Sequence, residues 1–146
     1  MKVLVYGMGA LGSFCAASLA RAGQDVTVLA RGQRLADLRE HGIVLQHPIT
    51  GVRSITPVAV IDTLPADAAY DWIIVVVGKH DLREILPVLA ANRVSPNLLF
   101  MGNNVTGWRE LAAYVGRERV VMGFLMAVGR LDGPVAVAAN TLDGHT

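Results

Sequence analysis

Short β-branched and aliphatic runs alternate along this chain with segments whose apolar residues recur at helical spacing, the pattern of a parallel sheet wrapped by crossover helices. Val3 to Tyr6 reads as a first strand. From Ala10 to Ala22, Leu11, Phe14, Cys15, Ser18 and Leu19 fall on one helical stripe, with Gly23 where that helix should stop. Asp25 to Ala30 predicts a second strand, and Gln33 to Glu40 a charged, exposed helix. Ile43 to Gln46 and Val52 to Ile61 flank Thr50-Gly51 and predict a hairpin inserted between the αβ units. Trp72 to Val77 is continuously apolar, as expected of a strand buried on both faces.

A helix is expected from about Leu82 to Ala91, kinked at Pro87, followed by a buried strand over Leu98 to Met101 and a short helix over Gly107 to Tyr114. Val120 to Val128 and Val135 to Ala138 read as two more strands, joined through Asp132-Gly133, a dipeptide suited to a tight hairpin. No repeat, low-complexity tract or linker interrupts this order, so one domain over residues 1–146 is expected. The chain reaches Thr146 just after its last strand, which resembles the edge of a domain more than the end of a complete enzyme.

Composition narrows the picture. Hydrophobic residues make up 53% and charged ones 17%, against about 45–50% and about 25% in ordinary soluble domains, so the chain should be well buried. Thirteen Lys and Arg against twelve Asp and Glu leave a formal charge of +1. Without a basic excess or a clustered stripe, no nucleic-acid partner is expected. The longest apolar stretch, Trp72 to Gly78, is far short of the roughly 20 residues of a spanning helix, and glycine ends the apolar N-terminus early, so neither a membrane segment nor a secretory leader is expected. The single cysteine, Cys15, excludes an internal disulfide and a thiolate cluster, and a cytoplasmic setting follows as the expectation.

The candidate chemistry begins between the first strand and the first helix, at Gly7-Met8-Gly9-Ala10-Leu11-Gly12. In this G-x-G-x-x-G, Gly7 permits the tight turn, Gly9 lets the backbone approach a pyrophosphate, and Gly12 allows close helix–strand packing while the helix N-terminus faces the anion. Alone the string is weak; its place after a strand and before a helix makes it specific. The fold class is therefore α/β, a Rossmann-type, doubly wound, mostly parallel sheet with an added antiparallel hairpin.

Sites that prefer NAD carry an acid at the end of the second strand for the ribose 2′-OH, but here the place is held by Ala30-Arg31-Gly32. Arg31 offers a permanently charged planar fork suited to a 2′-phosphate, with Arg34 one turn on as support, so NADP is the cofactor expected. The other reading of Arg31 is a loop residue that merely meets solvent. Lys79 and Asn103 follow two buried strands at their carboxyl ends, where ligands of parallel sheets gather. Lys79 could neutralise a carboxylate or a cofactor charge, and Asn103 could bond a ribose or a ketone oxygen. Equally, polar residues end strands because the chain emerges into water.

The segments Gly7-Met8-Gly9-Ala10-Leu11-Gly12-Ser13, Leu29-Ala30-Arg31, Val75-Val76-Val77-Gly78-Lys79 and Asn103-Asn104-Val105 resemble, in order and spacing, the N-terminal domain of the ketopantoate reductase family. The similarity continues through Val121-Met122-Gly123 and Arg130-Leu131-Asp132-Gly133-Pro134 and so covers nearly the whole chain. It implies reduction of 2-dehydropantoate to pantoate with NADPH, in pantothenate biosynthesis, by a protein that joins this domain to a helical C-terminal one absent from this chain. It also implies that Gly7 to Gly12 form the pyrophosphate loop, that Arg31 meets the 2′-phosphate, and that Lys79 and Asn103 serve the cofactor and the substrate pocket. Gly129 falls where the family has a small residue whose backbone touches the cofactor. The family's loop reads Asn-Gly, a hydrophobic residue and a second glycine; Asn104 and Thr106 replace those glycines here, which bears on the pocket's shape and hence on the substrate. The family's proton-donating lysine and its acidic partner belong to the C-terminal domain.

His41, His47, His80 and His145 show no metal-binding spacing, so no metal is expected. Cys15 reads as a buried inert thiol, and Trp72 and Trp108 as packing residues. Two function classes remain: an oxidoreductase acting on a small 2-keto acid, either 2-dehydropantoate or another substrate, and a non-catalytic module that binds NADP(H). Lys79 and Asn103 favour the first, since a sensor needs only the phosphate loop and Arg31. The sequence leaves room for an oligomer.

Overall fold

The computed structural model describes residues 1–102 and 107–141. Strand β1 (Lys2–Tyr6) is followed by α1 (Ala10–Arg21), β2 (Asp25–Leu29), α2 (Gly32–His41), β3 (Ile43–Gln46), β4 (Arg53–Thr56), β5 (Ala59–Ile61) and β6 (Trp72–Val75). Then come α3 (Lys79–Ala91), β7 (Leu98–Met101), α4 (Trp108–Val115), a 3₁₀ turn (Arg117–Arg119), β8 (Val120–Gly123), β9 (Ala127–Asp132) and β10 (Val135–Asn140). Six strands form one sheet in the order β5-β2-β1-β6-β7-β8, parallel at every pairing. The strand order reverses between β1 and β6, the switch point at which an open α/β sheet offers a crevice at its carboxyl edge.

The period of two along β1 divides the core. Val3 and Val5 face a cluster with Ala16, Ala17, Val28 and Ala136, whereas Leu4 and Tyr6 face one with Ile73, Leu82, Ile85, Leu89 and Leu98. Helix α1 lies on the first face, and its buried small residues Ala10, Gly12, Ser13, Ala16 and Ala17 let it pack closely on the sheet and, behind it, on β9 and β10. Helices α3 and α4 cover the second face through Leu82, Leu86 and Leu111.

The hairpin expected after α2 is present as β3 and β4, antiparallel from Ile43 opposite Thr56 to Gln46 opposite Arg53. It is part of something larger. A second hairpin, β9 and β10, joins it through parallel pairing of β10 with β3, giving a mixed sheet in the order β4-β3-β10-β9.

Two predicted strands divide in the structure. Val52 to Ile61 breaks at Pro57, which has no N–H for a ladder; Arg53–Thr56 stays in the second sheet while Ala59–Ile61 pairs with β2 at the edge of the first. Val120 to Val128 likewise gives β8 to the first sheet and β9 to the second, the chain crossing between them over Phe124–Met126. Helix α3 begins at Lys79 rather than near Leu82, and it runs without interruption through Pro87, which lies on its exposed side.

Candidate functional site

The β1–α1 loop sits at the switch point. Gly7 has φ +105°, a conformation that disfavours any side chain, and an added Cβ would collide with the Val76 carbonyl and lie 2.6 Å from Val77 Cγ1. A Cβ at Gly12 would collide with the Gly7 carbonyl. Gly9 differs: nothing lies within 4 Å of the place its Cβ would take, and the residue is exposed. It is also the N-cap of α1, where no side chain caps the helix and no acid stands in the first turn. The helix end therefore presents its positive pole and its unclaimed N–H groups over open space, the requirement of an anion-binding terminus.

Cavities flank this loop on two sides. The first, of about 330 Å³, is bounded by Gly7, Met8 and Gly9, by Ala30 and Arg31 at the end of β2, and by Val77 and Asp81. Arg31 is exposed and forms the N-cap position of α2. Its charge reaches Tyr6, whose hydroxyl is pushed above the ordinary phenol range by burial, with Arg31 acting in the opposite direction. The second cavity, of about 320 Å³, is apolar, with Leu11, Val76, Met101, Phe124 and Met126 among its walls.

The predicted site residues are thus distributed unevenly. Gly7, Met8, Gly9 and Arg31 meet at the first cavity, Leu11 lines the second, and Ala10 is buried behind the loop. Gly129, opposite Ala138 in the β9–β10 ladder, lines neither: its missing Cβ makes room for Ala138 Cβ and Ala10 Cβ, 2.7 and 3.1 Å from where that atom would be. Lys79 is the exposed first residue of α3 and lines neither cavity. Asn103, Asn104, Thr106 and His145 lie outside the described residues.

Arg34, expected to support Arg31, is half-buried and lines the first cavity with it, but its guanidinium is taken up by protein acceptors. Its Nε donates to the Met8 carbonyl at 2.7 Å, Nη2 to Ser13 Oγ at 2.7 Å and Nη1 to the Pro134 carbonyl at 3.2 Å. Sequence reasoning passed over Asp81 and the apolar second cavity. A signal for Asp81 was available, since it stands in the first turn of the helix that follows the strand beside β1. The second cavity had none, because its walls come from α1, the segment after β6, the end of β7, the crossing between the sheets and the start of β9.

Cys15 is buried, and burial pushes its thiol up to about 11. Trp72 packs against the core beneath α1, but Trp108 is half exposed, with the Arg117 guanidinium 5.4 Å above its ring, so the packing expected of it does not include the core. No group of three His, Cys, Asp or Glu side chains able to hold a metal occurs among the described residues, and no described helix is long and apolar enough to cross a membrane.

The chain is 30% identical over 113 residues to the 2-dehydropantoate 2-reductase of Mesorhizobium japonicum, a match covering 74% of this chain and 33% of that protein. Its fold is similar to that of 2-dehydropantoate 2-reductase from Porphyromonas gingivalis W83, with a TM-score of 0.75 at 23% identity over 94% of this chain and 50% of that one. It is also similar to D-mandelate dehydrogenase in a ternary structure with NADH and anilino(oxo)acetate, with a TM-score of 0.83 at 18% identity over 96% of this chain and 46% of that one. The chain therefore spans half the length of these relatives or less. The profile described as ketopantoate reductase PanE/ApbA matches residues 3–146, and with the glycine loop at the switch point and the two cavities beside it, this places the chain in the ketopantoate reductase PanE/ApbA family.

Proposed function

We propose that residues 1–146 form the NADP(H)-binding part of an oxidoreductase that reduces 2-dehydropantoate, or a related 2-keto acid, to the 2-hydroxy acid. The observation that carries this reading is Gly9: an open, uncapped helix terminus between a cavity with an arginine at its rim and a second cavity lined by apolar side chains. A dinucleotide has matching parts, with its pyrophosphate at the centre, a charged adenosine phosphate at one end and a flat ring at the other. The N–H groups at the start of α1 would receive the pyrophosphate, Arg31 the 2′-phosphate, and the wall of Leu11, Val76 and Met101 one face of the nicotinamide. When bound, NADPH supplies the hydride that reduces the keto carbon.

Lys79 and Asn103 would position the cofactor or the substrate carboxylate, and Gly129 would bring its backbone beside the cofactor. Proton donation to the carbonyl oxygen is assigned to a helical domain beyond this chain, as the family resemblance implies. A cytoplasmic setting, a place in pantothenate biosynthesis and a small-molecule partner complete the proposal; the free, buried Cys15 suits a reducing compartment. A second reading, use of NADH, has one observation in its favour: the Asp81 carboxylate lines the same cavity as Arg31 and could accept a ribose hydroxyl.

Titrating NADPH and NADH into the unmodified chain and into Arg31→Ala separates the two readings. A charge-assisted contact worth about 1.5–3 kcal/mol gives a preference for NADPH of about ten- to a hundredfold, largely lost in the variant. Equal affinities in the unmodified chain would remove NADP from the account and favour the Asp81 reading.

A further inference from the structure

Arg34 is a half-buried charged side chain at the edge of the first cavity, and its partners include the loop that bounds that cavity and the helix that follows it. Its Nε holds the Met8 carbonyl, and its Nη2 holds Ser13 Oγ, which in turn donates to the Gly9 carbonyl at 2.7 Å. Two successive carbonyls of the glycine loop are thus held, that of Met8 by the guanidinium and that of Gly9 by the Ser13 hydroxyl together with the Ser13 backbone N–H at 3.0 Å. In a planar trans peptide the C=O and the following N–H point in opposite directions. Holding the Met8 carbonyl therefore turns the Gly9 N–H away from Arg34, and holding the Gly9 carbonyl does the same for the Ala10 N–H. The network also draws two negative dipole ends out of the path of an approaching anion. The third arm, Nη1 to the Pro134 carbonyl, ties the loop to the turn between β9 and β10.

We propose that Arg34 is a positioning residue of the phosphate loop: it sets the Met8 and, through Ser13, the Gly9 peptide in the orientation that accepts a pyrophosphate, its guanidinium being spent on protein acceptors rather than on the 2′-phosphate. This rests on the nicotinamide-cofactor reading given above and differs from the expectation that Arg34 assists Arg31 at the 2′-phosphate. A residue that orients the loop affects every dinucleotide sharing the pyrophosphate, whereas a 2′-phosphate contact affects NADPH alone.

The test is calorimetric titration of NADPH and NADH into the unmodified chain, Arg34→Ala, Arg34→Lys and Ser13→Ala, with a thermal melt of each. Arg34→Ala is expected to weaken both cofactors by the same factor, about tenfold, leaving their ratio unchanged. Arg34→Lys should not restore affinity, since one ammonium cannot span three acceptors on three elements. Ser13→Ala, which keeps the guanidinium on the Met8 and Pro134 carbonyls but loses both the Nη2 acceptor and the hydroxyl's bond to the Gly9 carbonyl, should weaken both cofactors equally and less, and it carries the test should Arg34→Ala not fold. Three results would overturn the proposal: loss of NADPH affinity alone in Arg34→Ala, affinities unchanged in the variants while only their melting points fall, or full rescue by lysine. An unmodified chain that binds neither cofactor would instead overturn the cofactor reading, and this inference with it.

Discussion

Gly7, Gly9 and Gly12 share one hexapeptide, but their surroundings divide them: two are filled by backbone and one is open. Those places were legible in the sequence, because a strand-loop-helix fixes where each glycine of the motif must stand. Arg31 was legible for the same reason, its place being set by the end of β2. The partners of Arg34 were not, since its acceptors lie 21, 26 and 100 residues away and all three come within reach only after both sheets have formed. Cys15 was readable as a buried thiol, and the structure adds a consequence. With its folded value pushed up to about 11 from 9.0, a thiol released by unfolding loses its proton before the folded one does. The stability it contributes is therefore fully present below about pH 9 and is lost as pH rises through about 11. Thermal melts between pH 8 and 11 should show a downward slope that flattens in Cys15→Ala, and Ellman's reagent should label the native chain slowly at pH 8.

At the level of elements, apolar periodicity located the helices and strands but not their assignment to sheets. A run such as Val120 to Val128 looks continuous in hydropathy, yet its halves serve different sheets, because a parallel edge strand ends at Gly123 and the chain must cross to begin β9. Pro57 was visible, and its missing N–H could have divided Val52 to Ile61. The pairing of β3 with β10 could not be read at all, as it joins residues some ninety positions apart in sequence. That second sheet supports the site through Gly129, where β9 approaches the start of α1. Gly129→Ala would place a methyl 2.7 Å from Ala138 Cβ, 2.8 Å from the Val137 carbonyl and 3.1 Å from Ala10 Cβ. Overpacking of this kind costs about 1–3 kcal/mol, so a denaturant titration should show a matching loss of stability, with cofactor affinity reduced as α1 is displaced.

For the molecule as a whole, the parallel sheet, its switch point and the two cavities form one platform, with the glycine loop between the cavities and Arg31 at the rim of the first. Lys79 follows the carboxyl end of β6, as expected, and there it begins α3 on an exposed first turn that lines neither cavity. Its part in the proposal is accordingly that of a residue which reaches toward a substrate, while the platform binds. The central claim is that the open space over Gly9 receives the pyrophosphate of a nicotinamide dinucleotide, and titration of NADPH into Gly9→Val beside the unmodified chain tests it most directly. Because nothing lies within 4 Å of that Cβ position, the variant should fold with an unchanged circular dichroism spectrum and melting point. Gly9→Val should lose NADPH binding while the unmodified chain binds; normal binding of NADPH by Gly9→Val would show that the pyrophosphate does not lie over Gly9.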